Sequence, residues 1–401
     1  MSPSDDPRYG LARYVIAAAL ARMADGGAIV AIVLLVNSHG GDGATAGFLG
    51  ACLTAPHMLG PFVARRIDLA DDGRRVIAFA CVLYAIALSI GVIAYGRVPV
   101  GVIAATFIVA GCCGPLLTGG ISTRLATIAG PDLRRQRRAQ GWDVATYGIG
   151  GTVGPSMVAA IATWRSATEA ALWLAGSVFV SAWLVMRLPY GAPEHGGHPA
   201  RVPSAWATIR LMCGEGRLRR TLYMTVIVAF AMAALPIVAV QMAHALHIPP
   251  ASAAVLTAAY GIGNLAGSAV VMTRPLTGSP DVLMPRLAFG IVAALLVILA
   301  SGAFALSTMA YFMVGCVNAF FFAATLAART EYAPPGSRGQ VFLWVAALKI
   351  TAGSAGTAVA GTLIGIDARL PIVGGIVLIV LAASWAQLER YRDRRPLTVA
   401  Q

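Results

Sequence analysis

Charged side chains are rare inside the long apolar segments of this chain, and the first such segment contains two. Arg22 and Asp25 are three residues apart, which places both side chains on one face of a helix. A carboxylate in an apolar segment can bind a proton or a cation, whereas a neighbouring arginine favours its charged form. Alternatively, the two charges have a structural role and lower each other's cost of burial. The spacing predicts an ion pair between Arg22 and Asp25.

Four more polar residues in apolar segments are candidates for binding protons or substrate. Lys349 is the only lysine among 30 basic residues, and a buried lysine can change its charge when an anion approaches. His57 can titrate near neutral pH. Asn264 and Asn318 either hydrogen-bond a substrate or join neighbouring helices. Ordinary packing remains the alternative for His57, and a bond to a helix-end carbonyl remains the alternative for Lys349.

These residues must be positioned by helices that cross a membrane. A bilayer core about 30 Å thick requires about 20 apolar residues per helix. The chain is 58% hydrophobic and only 12% charged, which excludes an ordinary soluble surface. We predict an all-α integral membrane protein with twelve spans: Tyr14–Val36, Ala44–Val63, Val76–Ile93, Val100–Thr123, Trp142–Ala162, Ala170–Met186, Thr221–Leu246, Ala251–Met272, Leu287–Ala305, Thr308–Ala328, Val341–Ile364 and Leu370–Trp385.

The arginines alternate with these spans. They precede the first span, follow the last one and crowd every second gap, while the remaining gaps contain only Arg97, Arg165 and Arg369. By the positive-inside rule, both termini are cytoplasmic. The net charge of +13 then belongs to loops that face anionic lipid, and we expect no nucleic-acid partner. We also expect no metal site and no cofactor, because ligand clusters and a Walker loop are missing from the sequence.

The longest polar stretch, Pro189–Arg220, divides the chain near its middle. We predict an N-terminal six-helix bundle over residues 1–190, a cytoplasmic linker over 191–218 and a C-terminal six-helix bundle over 219–401. Within the linker, Ala205–Cys213 is either a short interfacial helix or part of a flexible tether.

Twelve spans in two halves, joined by a basic central loop, resemble the major facilitator superfamily over the whole chain. The fifth span contains Gly141, Gly150, Gly154 and Pro155 in the spacing of that superfamily's antiporter signature, although its last two glycines are replaced. The resemblance implies a helix that bends at the proline, where the two halves meet. A small-residue packing face is the alternative.

The loop between the second and third spans is similar to that superfamily's gating motif. Asp71, Gly73, Arg74 and Arg75 match its core, although one residue is missing and Asp72 replaces a basic residue. The resemblance implies that Asp71 caps a neighbouring helix and that Arg74 or Arg75 pairs with an acid such as Asp143. The alternative is that these charges only set the topology.

The resemblance also implies a function. The first span would line a central cavity, where Asp25 binds the coupling proton and Arg22 modulates it, and the second and eleventh spans would bring His57 toward Lys349. We therefore expect a monomeric, proton-coupled exporter of small hydrophobic drugs or metabolites, in the bacterial cytoplasmic (inner) membrane and not an enzyme. Its partners would be the small-molecule substrate, protons and membrane lipid. The alternatives are an uptake permease of the same fold, or a membrane sensor or lipid-handling protein that does not transport.

Overall fold

The computed structural model describes residues 7–190, 203–245 and 252–394, and every regular element within them is helical. The α-helices of this part are α1 Pro7–Ser38, α2 Gly43–Thr54, α3 Gly60–Leu69, α4 Gly73–Ala94, α5 Val100–Pro115, α6 Leu125–Ala129, α7 Leu133–Trp164, α8 Ala167–Met186, α9 Ala205–Gly214, α10 Gly216–Met232, α11 Leu235–Ala245, α12 Ser252–Thr273, α13 Pro280–Ala300, α14 Phe304–Tyr332, α15 Arg338–Ile364 and α16 Leu370–Arg394.

Twelve helical segments of the described residues are long and apolar enough to cross a bilayer. Most consist of one helix, but α2 with α3, α5 with α6, and α10 with α11 combine into single segments. This agrees with the twelve predicted spans and confirms the all-α membrane fold.

The interruptions in the composite segments coincide with prolines. Pro56 lies in the first turn of a 3₁₀-helix, Ala55–Leu59, which separates α2 from α3. Pro115 ends α5, and a π-helical turn over Leu116–Gly120 follows it. A proline has no backbone N–H to donate, so regular α-helical hydrogen bonding is interrupted near it. Hydropathy alone does not reveal these breaks, because its mean over each whole span stays high across the interrupting turn.

The fifth span begins earlier than predicted. The α7 helix starts at Leu133 rather than at Trp142, because the Asp132 side chain caps it by accepting the Arg135 backbone N–H at 2.9 Å. The arginine-rich stretch that precedes the apolar part is therefore helical. Hydropathy detects only the apolar part of a helix, so it places the start too late.

Contacts divide the chain into two compact units. The first comprises Met1–Trp206 with Pro334–Ala347, and the second comprises Ala207–Ala333 with Leu348–Gln401. Of the three boundaries, one falls inside α9, one between α14 and α15 and one inside α15, whereas the sequence assigns all of 219–401 to the second bundle. The predicted helix Ala205–Cys213 is observed as α9. Residues 191–202 of the predicted linker lie outside the described part of the chain.

Glycines allow helices within each unit to approach closely. In the first unit, a Cβ on Gly26 of α1 would lie 2.5 Å from the Gly150 carbonyl oxygen of α7. In the second unit, a Cβ on Gly267 of α12 would lie 2.5 Å from the Cys316 carbonyl oxygen of α14. Contacts this close exclude even a methyl group and fix the helix pairs face to face. They set the positions of the polar side chains described next.

Candidate functional site

Arg22 is buried in the first unit and pairs with Asp143 of α7, not with Asp25. Its Nη1 lies 2.6 Å from Asp143 Oδ1, and the two side chains are 2% and 1% exposed. The guanidinium carbon also lies 3.5 Å from the centroid of the Tyr147 ring. The predicted pair between Arg22 and Asp25 is therefore wrong. A facing helix offers Arg22 a carboxylate together with further acceptors, which Asp25 on its own helix does not.

Further polar groups enclose this ion pair. The Arg22 guanidinium donates to the Thr146 hydroxyl, to Ser122 Oγ at 2.8 Å and to the Thr118 carbonyl at 3.1 Å. Asp143 in turn accepts from the hydroxyls of Ser122, at 2.9 Å, and Tyr14, at 2.5 Å. A buried ion pair is favourable only when its remaining donors and acceptors find partners. Both Nη groups of Arg22 and both Asp143 oxygens do so, whereas Arg22 Nε has no hydrogen-bond partner among the described residues. The arrangement ties α1 and α7 together with the turn after α5.

Asp25 lies against His57 instead. The His57 Nε2 is 3.3 Å from Asp25 Oδ1, and the side chains are 4% and 20% exposed respectively. The Tyr84 hydroxyl of α4 also lies beside this pair, 3.5 Å from the Ala24 carbonyl. A carboxylate and an imidazole can share or exchange a proton, and Asp25 is the more exposed of the two side chains.

Two glycines of α5 make room for the turn that carries His57. Gly111 faces the Leu53 carbonyl, and a Cβ there would lie 3.1 Å from Pro56. Gly114 faces the His57 ring so closely that a Cβ would overlap Nε2 and Cε1. The 3₁₀ turn around Pro56 and the glycine face of α5 together hold the imidazole against Asp25.

The predicted antiporter signature packs inside the first unit. Gly141 is buried, and Gly150 and Gly154 leave no room for a Cβ beside the Arg22 and Met23 backbones of α1. Pro155 lies within the continuous helix α7. This packing corresponds to the alternative that the sequence left open. A bend at Pro155 between the two halves stays a prediction.

The loop before α4 differs from its prediction in two respects. Asp72, rather than Asp71, is the N-cap: it accepts from the Arg74 backbone N–H at 3.0 Å, while Asp71 is exposed. Arg74 pairs with Asp72 through Nε and Nη2, both at 2.9 Å, and donates to the Leu188 carbonyl. Hydrogen bonds from Arg74 lower the pKa of Asp72. The predicted pair of Arg74 or Arg75 with Asp143 is therefore wrong, because Arg22 occupies that acid.

The rest of this loop has smaller contacts. The Arg75 side chain is 80% exposed, and its Nε lies 3.8 Å from Asp72 Oδ2, so this ion pair contributes little to stability. Gly73 is buried, and a Cβ there would lie 3.0 Å from the Arg124 guanidinium. Gly73 thus allows the start of α4 to approach that arginine.

Lys349 and Asn318 line one cavity in the second unit, together with Tyr260 and Phe322. The Lys349 Nζ lies 3.8 Å from the centroid of the Phe322 ring, a cation–π geometry. Asn264 lies one turn along α12 from Tyr260 and is not among the residues that line the cavity. His57 belongs to the first unit and Lys349 to the second, so the predicted approach of these two residues stays a prediction.

Sequence reasoning did not assign roles to several of these residues. Asp143 was named only as a partner for the loop arginines, and Tyr14, Tyr84 and Gly114 were not singled out. The sequence could have indicated this role, because Asp143 lies at the start of the predicted fifth span, where a charged residue needs a partner of opposite charge such as Arg22. Among the described residues, no group of three or more His, Cys, Asp or Glu side chains could hold a metal.

Comparisons with known proteins give a family and a fold. The family described as Major Facilitator Superfamily matches residues 14–357. No curated protein matches the chain in sequence. A bacterial homologue of the iron transporter ferroportin, in the outward-facing state, has a TM-score of 0.75 at 15% identity, over 96% of this chain and 100% of that one.

Two other solved structures are similar. The human organic anion transporter MFSD10 has a TM-score of 0.72 at 15% identity, over 96% of this chain and 99% of that one. The proton:xylose symporter XylE has a TM-score of 0.68 at 13% identity, with 96% of each chain covered. At these identities the likeness concerns the fold alone.

Proposed function

Because this chain belongs to the major facilitator superfamily, we propose that it is a proton-coupled secondary transporter that exports small, largely hydrophobic compounds by alternating access. The observation that carries the proposal is the contact of Asp25 with His57 inside a membrane-spanning region. The arginine distribution supports a location in the bacterial inner membrane with both termini in the cytoplasm. We propose that the protein acts as a monomer.

The partners of the two carboxylates in the first unit support a division of roles. Asp143 is paired with an arginine, which keeps its proton throughout the physiological pH range, and its side chain is 1% exposed. Asp25 is paired with a histidine, which titrates near neutral pH, and its side chain is 20% exposed. Of these two carboxylates, Asp25 alone is partly exposed and paired with a titratable side chain. We therefore assign the coupling proton to Asp25 and His57, and a structural role to Arg22.

Protonation of this pair changes the attraction between Asp25 and His57 and the cost of enclosing Asp25. With imidazolium and carboxylate both charged, the two attract each other across 3.3 Å. Protonation of the carboxylate removes that attraction and lowers the cost of enclosing Asp25 in an apolar environment. The two protonation states thus favour different degrees of closure around Asp25, which is the differential interaction that coupling requires.

The direction of transport rests on the partial antiporter signature, which favours export. The similar folds include a proton:xylose symporter and an organic anion transporter, so fold alone is compatible with either direction. The sign of the flux therefore has to be measured.

The experiment is accumulation of a panel of lipophilic dyes and antibiotics in an efflux-deficient bacterium that expresses wild-type protein or Asp25→Asn. We expect wild type to lower the accumulation of some compounds, and we expect both Asp25→Asn and a protonophore to abolish the effect. Glu169→Gln is the matched control, because Glu169 is an exposed acid with only a 4.0 Å contact to Arg165.

Each alternative has its own result. Raised accumulation that depends on the proton gradient would replace export with uptake. Wild-type activity of a well-expressed Asp25→Asn protein would refute the coupling assignment. Lipid movement in proteoliposomes without proton flux would favour a lipid-handling protein.

A further inference from the structure

The second unit contains a cavity of about 280 Å³ between α10, α12, α14 and α15. Its lining is mainly apolar with a few polar side chains, and includes Val228, Met232, Phe321, Thr225, Asn318 and Lys349. A concave, mostly apolar surface with a small number of polar groups is typical of sites for small organic molecules. The volume is slightly below the range of about 300–1,000 Å³ for drug-sized ligands, so the enclosed group is about one ring with a short side chain.

The charge beside this cavity is positive. Lys349 Nζ lies 3.8 Å from the Phe322 ring centroid, and the Arg329 guanidinium carbon lies 5.9 Å from the same centroid. Arg329 is only 1% exposed. Among the described residues that line the cavity there is no carboxylate. Both cations lie in membrane-spanning helices, where the low dielectric strengthens their attraction for an anion and their repulsion of a cation.

The polar groups also suit an acid group. The Asn318 amide can donate hydrogen bonds, and the Lys349 ammonium donates without accepting any. The Lys349 ammonium covers one face of the Phe322 ring, so the aromatic surface left for an apolar group is mainly that of Tyr260. A carboxylate attached to a ring would therefore find donors at Lys349 and Asn318 and apolar surface at the other lining residues.

We propose that this cavity binds a small organic anion, with its acid group at Lys349 and Asn318 and its apolar body against Tyr260, Val228 and Met232. The inference rests on the proposed function and names the substrate class of the transporter. A cationic drug is disfavoured here, because Lys349 and Arg329 both lie near Phe322 and each repels a second positive charge.

Three probes of one skeleton test the charge preference on the full-length protein in nanodiscs. They are hydrocinnamate, hydrocinnamide and phenylpropylamine, which are an anion, a neutral compound and a cation of nearly equal size. By titration calorimetry we expect hydrocinnamate to bind about tenfold more tightly than hydrocinnamide, because charge-assisted hydrogen bonds are about twice as strong as neutral ones. Phenylpropylamine should bind more weakly still.

Variants test whether Lys349 is the source of that preference. Lys349→Gln should remove the preference for hydrocinnamate over hydrocinnamide, and Lys349→Arg should retain it. Arg286→Gln is the matched control, because it removes one positive charge from an exposed position of α13 outside the cavity lining. A loss of preference in Arg286→Gln as large as that in Lys349→Gln would overturn the assignment.

The wild-type result stands even if a variant does not fold. Equal binding of the three probes, or binding of none, would overturn the inference. Selective binding of hydrocinnamate without its transport in proteoliposomes would support the inference and refute the proposed function. Proton-driven export of neutral or cationic compounds, without selective binding of the anion, would do the reverse.

Discussion

Substitution of Asp143 by asparagine should destabilise the protein far more than the same change at Asp25. Asp143→Asn removes the counter-charge from Arg22, whose side chain is 2% exposed. Breaking a buried ion pair costs about 3–5 kcal/mol. The Thr118 carbonyl, Ser122 and Thr146 still accept from the guanidinium, so we expect the lower end, about 3 kcal/mol.

Asp25→Asn should cost less than about 1 kcal/mol, because the carboxylate is 20% exposed and a neutral imidazole can still hydrogen-bond an amide. The assay is unfolding of the purified protein in mixed micelles with increasing sodium dodecyl sulfate, followed by tryptophan fluorescence. The double variant Arg22→Gln with Asp143→Asn should lose less stability than the sum of its single changes, because the two residues interact directly. Equal destabilisation by the two aspartate variants would refute the division of roles between these acids.

Two further pairs of variants test local packing and capping by thermal unfolding in detergent. Gly154→Ala should cost about 1–3 kcal/mol of stability, because its Cβ would overlap the Met23 backbone. Gly151 faces open space, so Gly151→Ala should be neutral or slightly stabilising. Equal effects of the two substitutions would contradict the close α1–α7 contact. Asp72→Ala should cost about 1 kcal/mol through loss of the cap on α4, while Asp71→Ala should stay within about 0.5 kcal/mol. Arg74 lowers the pKa of Asp72 in the folded protein. The contribution of Asp72 to the free energy of unfolding is therefore present above its unfolded pKa of about 3.9 and is lost as pH falls through the lower folded pKa. A stability difference between Asp72→Ala and wild type that persists unchanged well below that pH would contradict this argument.

The fold was largely readable from local properties of the sequence. A membrane span is specified by its own length and hydropathy, so the twelve segments could be predicted one at a time. Interruptions at Pro56 and Pro115 were missed, because a 3₁₀ or π turn inside an apolar segment leaves its hydropathy unchanged. The α7 start was also missed, because its first turns are charged and are fixed by the Asp132 cap.

The candidate site was only partly predictable. The sequence identified Arg22, Asp25 and His57 as costly residues in apolar spans, since burial of charge or polarity is expensive wherever it occurs. It assigned Arg22 to the wrong acid, because spacing along one helix reports only neighbours on that helix. The same limit hid the contact of Asp25 with His57 and the role of Gly114, which is visible only once α5 faces the turn at Pro56.

The amino-acid sequence alone was enough to count the apolar spans and to identify the short set of polar residues inside them. Tertiary structure alone decided the partners. Asp143 is 121 residues from Arg22, and His57 is 32 residues from Asp25. Hydropathy and spacing are properties of one segment, whereas an ion pair depends on which helix faces meet and on where glycines let them approach. The choice of partner pairs Asp143 with an arginine and Asp25 with a histidine, and the proposed division of roles rests on that difference.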